Sequence, residues 1–319
     1  MITYRAFTNR DVRALAEIWR SRAAERGLMQ PMSAALFEEL VLSKTYFDNA
    51  GLIVAVDEGV PVGFVHAGFG PSEDQSTLSR QRGVISMLIV RPEYRRQGIG
   101  QQLLARAEEY LQRHGSQEIY GGGIRPMTPF YLGLYGGSEL PGVLASDADA
   151  LRRYRAAGYA EIDRCGVFQR DLASFRPTMD RKQQQIRRQQ AVQMIVDPPC
   201  RTWWEACTFG GFDRTRFELT PKCGGPATAW LTVWSMEPLS TSWGVRATGL
   251  YELHVDASQR RQGLASCLFA ETFKQLAAEG VGLIEAQALL RDTARVSLFK
   301  KLGFQQVDEG VVFRKESAA

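Results

Sequence analysis

The feature that most constrains this chain is a repeated segment, in which an apolar, strand-like run turns through Arg-Arg-Gln-Gly into a helical pattern. The first copy covers residues 87–100 and the second covers residues 252–265. A second pair of matching segments follows in the same order, at residues 151–159 and 296–304. Each member of that pair is a short helical pattern that ends in a glycine and an aromatic residue. Two repeats in the same order indicate a duplicated domain.

Periodicity predicts the same elements around both copies. Apolar residues recur at helical spacing over 103–111 and over 268–276, and a glycine follows each run. Strand-like runs precede them, so the pattern predicts an α+β fold, a mixed and largely antiparallel sheet flanked by helices, in tandem. A chain of 319 residues has room for two domains. We predict domains at 1–172 and 191–319, joined by a polar, basic linker at 173–190.

Composition excludes several classes of protein. A hydrophobic content of 45% excludes a mainly disordered chain, and no apolar run reaches the roughly 18 residues that cross a bilayer. The start of the chain resembles a strand rather than a secretory signal, so we expect a cytoplasmic protein without a membrane partner. Five cysteines without Cys-x-x-Cys spacing and three histidines favour neither a disulfide framework nor a metal site. The net charge of +4 is scattered, so no nucleic-acid partner is expected.

The repeated turn has the chemistry of a diphosphate site. Its small residues let the backbone approach a ligand closely, and the first turn of the following helix offers unpaired N–H groups and a positive dipole end. The neighbouring arginines add charge and hydrogen-bond donors. A dinucleotide fingerprint needs a third glycine where Leu103 stands, and the Lys-Ser/Thr pair of a nucleotide P-loop does not follow the glycines of either turn.

An Arg-x-x-Gly-x-Gly/Ala turn after an apolar strand, followed by a Tyr-x-x-x-Gly-Phe/Tyr segment, resembles the coenzyme A-binding core of the GNAT superfamily of N-acetyltransferases. The resemblance covers both halves and predicts two tandem GNAT acyl-CoA N-acyltransferase domains, in a layout similar to that of mycothiol synthase-type acetyltransferases. It implies acetyl-CoA as co-substrate and no metal. The strand backbone would hold the pantetheine arm and the thioester carbonyl, and the turn would hold the pyrophosphate. The implied contacts are Leu88, Ile89, Val90, Arg95, Arg96, Gln97, Gly98, Ile99 and Gly100 in the first half, and Leu253, His254, Val255, Arg260, Arg261, Gln262, Gly263, Leu264 and Ala265 in the second.

The resemblance also implies a general acid. In the family, a tyrosine four residues before the glycine of the downstream segment often supplies the proton to the departing thiolate. That position holds Tyr154 in the first half and Phe299 in the second. Because phenylalanine has no proton to donate, we expect the first domain to be catalytic and the second to be a degenerate, partly structural copy. Glu93, His66 and Glu139 are candidates for a general base by placement, and none is preferred over an ordinary structural role.

The predicted function is transfer of an acetyl group from acetyl-CoA to a primary amine of a small molecule or peptide, by direct attack, with Tyr154 as the general acid. The alternative is a non-catalytic acyl-CoA-binding sensor. The first half also carries an insertion at 120–149 that is rich in aromatic residues and glycine. Two interpretations of it stay open: a mobile loop over the acceptor pocket, or a surface excursion that packs on the other domain or on a second subunit. The sequence leaves the oligomeric state open.

Overall fold

The computed structural model describes residues 1–176 and 181–316. Residues 177–180 of the predicted linker and 317–319 of the predicted second domain lie outside the described residues. The first half forms β1 (Ile2–Ala6), α1 (Val12–Arg20), α2 (Ala34–Phe37), β2 (Leu52–Asp57), β3 (Val60–Pro71), β4 (Leu78–Val90), α3 (Ile99–Arg113), β5 (Glu118–Gly121), β6 (Val143–Leu144), α4 (Ala148–Ala156) and β7 (Ala160–Asp171). The second half forms α5 (Arg181–Gln189), β8 (Gln190–Val196), α6 (Trp203–Phe209), β9 (Arg214–Pro221), β10 (Ala229–Ser235), α7 (Glu237–Trp243), β11 (Ala247–Val255), α8 (Leu264–Ala278), β12 (Leu283–Leu289), α9 (Thr293–Lys301) and β13 (Gln305–Glu316).

Two compact units divide the chain, and neither is continuous in sequence. The first comprises Met1–Gly166, Cys200–Gly211 and the described residues from Asp308 onward. The second comprises Phe212–Val307 and the described part of Val167–Pro199. The sequence predicts continuous domains with boundaries at 172 and 191, whereas each unit takes residues from both halves. The predicted linker also contains a regular helix, α5, which lies in the second unit.

The sheet of the first unit has the order β1-β2-β3-β4-β5-β13. Its neighbours are antiparallel except for β4 and β5, which are parallel. The C-terminal strand of the chain completes this sheet, with Phe313 opposite Gly121. The exchange has a simple sequence basis, because Val312-Phe313 of β13 repeats Val167-Phe168 of β7. Either strand therefore carries the buried apolar pair that this position needs.

The sheet of the second unit has the order β8-β9-β10-β11-β12-β7. From β8 to β11 neighbouring strands are antiparallel, and β11 and β12 are parallel. In each unit the helix that follows the repeated turn buries its apolar stripe against the sheet. Helix α3 does so in the core of the first unit, and α8 does so in the core of the second. These mixed, largely antiparallel sheets with flanking helices are the predicted fold class.

The downstream repeat also folds alike in both units. The side chains of Asp147 and Asp292 cap the N-termini of α4 and α9 by accepting a backbone N–H. Both helices are followed by a left-handed glycine, Gly158 at φ 81° and Gly303 at φ 80°, which only a residue without a Cβ adopts freely. The predicted helix, glycine and aromatic order is confirmed in both copies.

The insertion at 120–149 packs inside the first unit. Phe130 stacks on the ring of His66 with centroids 4.0 Å apart, and Tyr131 stacks on Trp19 at 5.8 Å. Both insertion rings are almost completely buried. The aromatic residues of the insertion therefore belong to the core of their own unit, because burial of their large apolar rings is favourable. The rings of Phe130 and Tyr131 are therefore not part of a surface excursion, and the end of the insertion lines a cavity described below.

Candidate functional site

The first repeated turn is open at its glycine, Gly98. After β4, the chain passes through left-handed conformations at Arg96 (φ 61°) and Gly98 (φ 77°) before α3 begins at Ile99. A Cβ built on Gly98 would meet no atom within 4 Å. The first N–H groups of α3 have no partner within the helix, and they carry its positive dipole end. This turn can bind an anion through its backbone.

The second repeated turn has the same backbone but is covered. Arg261 (φ 65°) and Gly263 (φ 88°) match the left-handed pair of the first turn. Here, a Cβ on Gly263 would lie 3.2 Å from Lys182 Cε and 3.6 Å from Ile186 Cδ1, both on α5. The Lys182 ammonium also donates to the carbonyl oxygen of Arg261 at 3.4 Å. Helix α5 thus occupies the face that is open in the first turn.

A gap between parallel strands lies beside the first turn. Pairing of β4 with β5 ends at Ile85 opposite Gly121. A β-bulge at Ser86, between the pairs Ala67–Ile85 and His66–Met87, then redirects the rest of β4. Beyond it, the described residues 87–90 pair with β3 on one edge only. Their other edge presents free backbone groups, and it includes the predicted contact residues Leu88, Ile89 and Val90. The second unit repeats the arrangement, since β11 pairs with β12 as far as Gly249 opposite Glu285 and carries a bulge at Tyr251.

The gap in the first unit opens into a cavity of about 440 Å³, called here the central cavity. It is lined by residues 85–89 of β4, by Gly122, by the segment before α2, by the end of the insertion, and by α4. Arg95 of the repeated turn also reaches it. The structure therefore brings Tyr154 and three of the predicted contacts, Leu88, Ile89 and Arg95, to one cavity. The other predicted contacts of the first half are not among the residues that line it.

Tyr154 points its hydroxyl into the gap. The hydroxyl donates to the carbonyl oxygen of Ile85 at 3.5 Å, the last β4 residue paired with β5. The ring stacks on Phe313 with centroids 5.5 Å apart, and a Cβ on Gly121 would come within 2.6 Å of it. Burial raises the pKa of Tyr154, so the phenol stays protonated at neutral pH and is available as a donor.

The equivalent position in the second unit has no such donor. Phe299 is completely buried in the core, against Phe168 at 5.6 Å and Phe304 at 5.1 Å between ring centroids. His254, on the second predicted contact strand, stacks on Trp230 at 3.8 Å. The polar side chains of the second turn bond locally, as Arg260 Nε and Gln262 Nε2 both donate to nearby backbone carbonyls.

The three candidates for a general base are not among the side chains that line the central cavity. Glu93 is exposed on the turn before α3, and Glu139 forms an ion pair with Arg125 at 3.4 Å. His66 is fully buried, with Nδ1 3.0 Å from the Tyr131 hydroxyl, and burial lowers its pKa to about 3. A surface carboxylate, an ion-paired carboxylate and a core histidine each have a structural explanation.

Sequence reasoning predicted Arg95 but missed Arg22, Glu25, Asp147 and Arg153, which also line the cavity. Arg22 pairs with Asp147 at 3.3 Å, and Arg95 pairs with Glu25 at 2.5 Å. Arg153 of α4 also lines the cavity, next to Tyr154. A signal for Arg153 exists in the repeat, because the matching residue of the second half is Leu298. The segment before α2 has no counterpart that could have given such a signal.

The described residues carry no cluster of three or more histidine, cysteine, aspartate or glutamate side chains placed to hold a metal ion. Within 1–176 and 181–316, every helix is too short or too polar to cross a bilayer.

Known protein families match both halves of the chain. Residues 13–126 match the model of the acetyltransferase (GNAT) family, and residues 242–312 match the model of FR47-like proteins. No curated protein matches the chain in sequence.

Solved structures resemble the chain over nearly its whole length. A tandem GNAT protein from the clavulanic acid biosynthesis pathway is similar with a TM-score of 0.68 at 15% identity, over 100% of this chain and 99% of that one. A GCN5-related N-acetyltransferase from Sphaerobacter thermophilus is similar with a TM-score of 0.62 at 16% identity, over 99% of this chain and 95% of that one. A GCN5-related glucosamine N-acetyltransferase region of a fungal multi-domain GH3 β-N-acetylglucosaminidase reaches 0.71 at 15% identity, over 99% of this chain and 38% of that one. At this identity the likeness establishes the fold.

Proposed function

This chain belongs to the GNAT acyltransferases as a tandem of two such folds, and from that premise we propose that it acetylates a primary amine of a small molecule or peptide with acetyl-CoA. The first unit carries out the reaction. The observation that carries this proposal is the meeting of Arg95 from the open turn, the free edge of β4 and Tyr154 at one cavity.

The residues of the first unit fit acetyl-CoA, which supplies the acetyl group as a thioester. The open face at Gly98 and the N-terminus of α3 bind the pyrophosphate, and the free edge at Leu88, Ile89 and Val90 binds the pantetheine amides. Four arginines and three carboxylates line the same cavity, and the surplus of positive charge favours an anionic ligand.

The chemistry assigns one proton to Tyr154. A new C–N bond forms as the C–S bond breaks, so the amine must lose a proton and the departing sulfur must gain one. Tyr154 lies at the gap between the strands, and its raised pKa keeps the phenol protonated. The phenol can therefore donate its proton to the sulfur as the C–S bond breaks. Phe299 has no hydroxyl, and so the second unit lacks this step.

The test is Tyr154→Phe, assayed by thiol release from acetyl-CoA across a panel of amines. We expect kcat to fall about 100-fold or more, since a positioned general acid contributes roughly 10² to 10⁴, while CoA affinity by calorimetry changes less than about twofold. Tyr159→Phe is the matched control, because it removes a buried hydroxyl from the neighbouring ring, 5.0 Å away between centroids. This control should retain wild-type turnover.

Two results would count against the proposal. Wild-type kcat in Tyr154→Phe would remove Tyr154 as the general acid. Wild-type protein that binds acetyl-CoA but releases no thiol with any amine would instead support the sensor function.

A further inference from the structure

The central cavity contains one arginine without a carboxylate partner. Four arginines line it, and three of them are paired, Arg22 with Asp147, Arg26 with Asp308 and Arg95 with Glu25. Arg153 forms no ion pair within 4.0 Å of any carboxylate in the described residues. Asp147 and Asp149 act on it electrostatically from farther away. Its guanidinium therefore keeps its donors for another partner.

Arg153 lies over the first turn of α3. A Cβ built on Gly100 would come 2.7 Å from Arg153 Nε and 3.1 Å from its Cζ, so the glycine makes room for the guanidinium. The first turn of a helix presents unpaired N–H groups and a positive dipole end. Arg153 adds a planar fork of charged donors beside them, a geometry that suits phosphate oxygens.

The second half lacks both members of this pair. Ala265 stands at the position of Gly100, and Leu298 stands at the position of Arg153. Leu298 packs against the apolar core of the second unit, which shows that an apolar residue satisfies this position of the helix structurally. An arginine on the cavity side of α4 is therefore not explained by packing.

A second polar group in the cavity also points to a ligand. Ser86, at the β-bulge, is 4% exposed, and its hydroxyl oxygen has no hydrogen-bond partner in the described structure. Ser86 and Arg153 line the same cavity. Buried polar side chains are nearly always hydrogen-bonded, so a bound molecule is the natural partner for this hydroxyl.

We propose that Arg153 binds an anionic group of the acyl donor at the N-terminus of α3, and so selects a phosphate-bearing carrier thioester over a neutral pantetheine thioester. This inference rests on the proposed function and deepens it. Gly100 and Arg153 act as a pair, since a larger residue at 100 would displace the guanidinium.

The experiment is calorimetric titration of the full chain with coenzyme A, 3′-dephospho-coenzyme A and pantetheine. Arg153→Leu introduces the residue of the second half, and Arg153→Lys keeps the charge but loses the fork. We expect Arg153→Leu to weaken coenzyme A about 10- to 100-fold, the range for a charge-assisted hydrogen bond, and Arg153→Lys to recover part of the loss. Pantetheine should bind both variants as it binds the wild type.

Arg155→Leu is the matched control. Arg155 lies on the exposed side of the same helix, paired with Glu161, so its loss should leave coenzyme A affinity within about twofold. If Arg153→Leu loses affinity for coenzyme A alone, Arg153 contacts the 3′-phosphate. If it loses affinity equally for 3′-dephospho-coenzyme A, Arg153 contacts the diphosphate.

Three outcomes overturn the inference. The first is unchanged affinity for coenzyme A in Arg153→Leu, and the second is an equal loss of pantetheine binding, which would indicate a structural role. The third is wild-type protein that binds none of the three ligands, and this result alone also refutes the proposed function.

Discussion

The turn before α3 and the turn before α8 share one backbone conformation, with left-handed residues at Arg96 and Gly98 in the first and at Arg261 and Gly263 in the second. Their surroundings differ. The first faces open space beside a cavity, whereas the second is covered by α5. A repeated motif therefore specifies a local backbone conformation, whereas access to that backbone depends on a segment outside the motif.

The same contrast extends to the helix that follows each downstream repeat. In the first unit, α4 directs Tyr154 and Arg153 to the cavity. In the second unit, Phe299 is buried in the core and Leu298 packs against it. The first copy therefore has polar side chains at two positions that face the cavity, and the second copy has apolar side chains that pack in its core at the same positions.

The largest expected effect comes from a charge in the open turn. Gly98→Glu places a carboxylate at the N-terminus of α3, where like charge repels the phosphates, and it also forces a side chain onto a left-handed residue. We expect coenzyme A affinity to fall roughly 100-fold or more, because such repulsion costs several kcal/mol. Isothermal calorimetry measures the change.

Gly263→Glu is the matched substitution in the covered turn. It should leave coenzyme A binding unchanged at one equivalent per chain, since α5 already covers that face. Two equivalents in the wild type, or an equal loss in both variants, would end the distinction between the turns.

Much of this comparison could be predicted from the sequence, because its basis is local. Helical spacing after Gly100 and Ala265, and the glycines at 158 and 303, depend on residues close in the chain, and the structure has the helices there. The Tyr154 and Phe299 asymmetry was likewise visible by aligning the two halves.

The rest depends on pairing between distant residues, which periodicity does not determine. Strand β13 lies beside β5, although a continuous domain would place β7 there, and the two strands have nearly the same buried pair. The polar composition of 173–190 predicts a linker, yet α5 forms within it, and Ile186, the one aliphatic residue of α5, is buried in the core of the second unit. A single apolar residue in a polar segment is too weak a signal for docking.

A smaller expected effect is a pH-dependent stability of the first unit, which arises from a histidine in its core. His66 is fully buried in the first unit, and burial lowers its pKa to about 3, below the roughly 6.5 of an unfolded chain. The unfolded state therefore gains a proton as the pH falls below about 6.5, and the folded state does not until near pH 3. The contribution of His66 to the free energy of unfolding is complete above about pH 6.5 and is lost on acidification, by about 2 kcal/mol between pH 7.5 and 5.0.

Urea unfolding at both pH values tests this. His66→Gln and His66→Phe both remove the titrating group but differ in packing, so both should lose this part of the pH dependence whatever their stability at pH 7.5. If the free energy of unfolding of either variant depends on pH as strongly as that of the wild type, the acid sensitivity arises elsewhere.

The smallest expected effect is a weak second site that appears when the covered turn is opened. Lys182 and Ile186 are the α5 residues that lie over Gly263. The double variant Lys182→Ala with Ile186→Ala removes both contacts, and calorimetry should then detect a second equivalent of coenzyme A. We expect its affinity to be at least about tenfold below that of the first, because Leu298 offers no charged donor where Arg153 stands.

The matched control is Gln184→Ala with Gln185→Ala, two exposed positions on the same helix. This control lowers the polarity of α5 without uncovering Gly263, and so it should bind one equivalent. If the opened variant also binds one equivalent while remaining folded, then α5 is not what closes the second turn. The absence of a second equivalent would then be explained by the turn itself and by its neighbours Ala265 and Leu298. Restoring Gly and Arg at those two positions in the opened variant would be the deciding measurement.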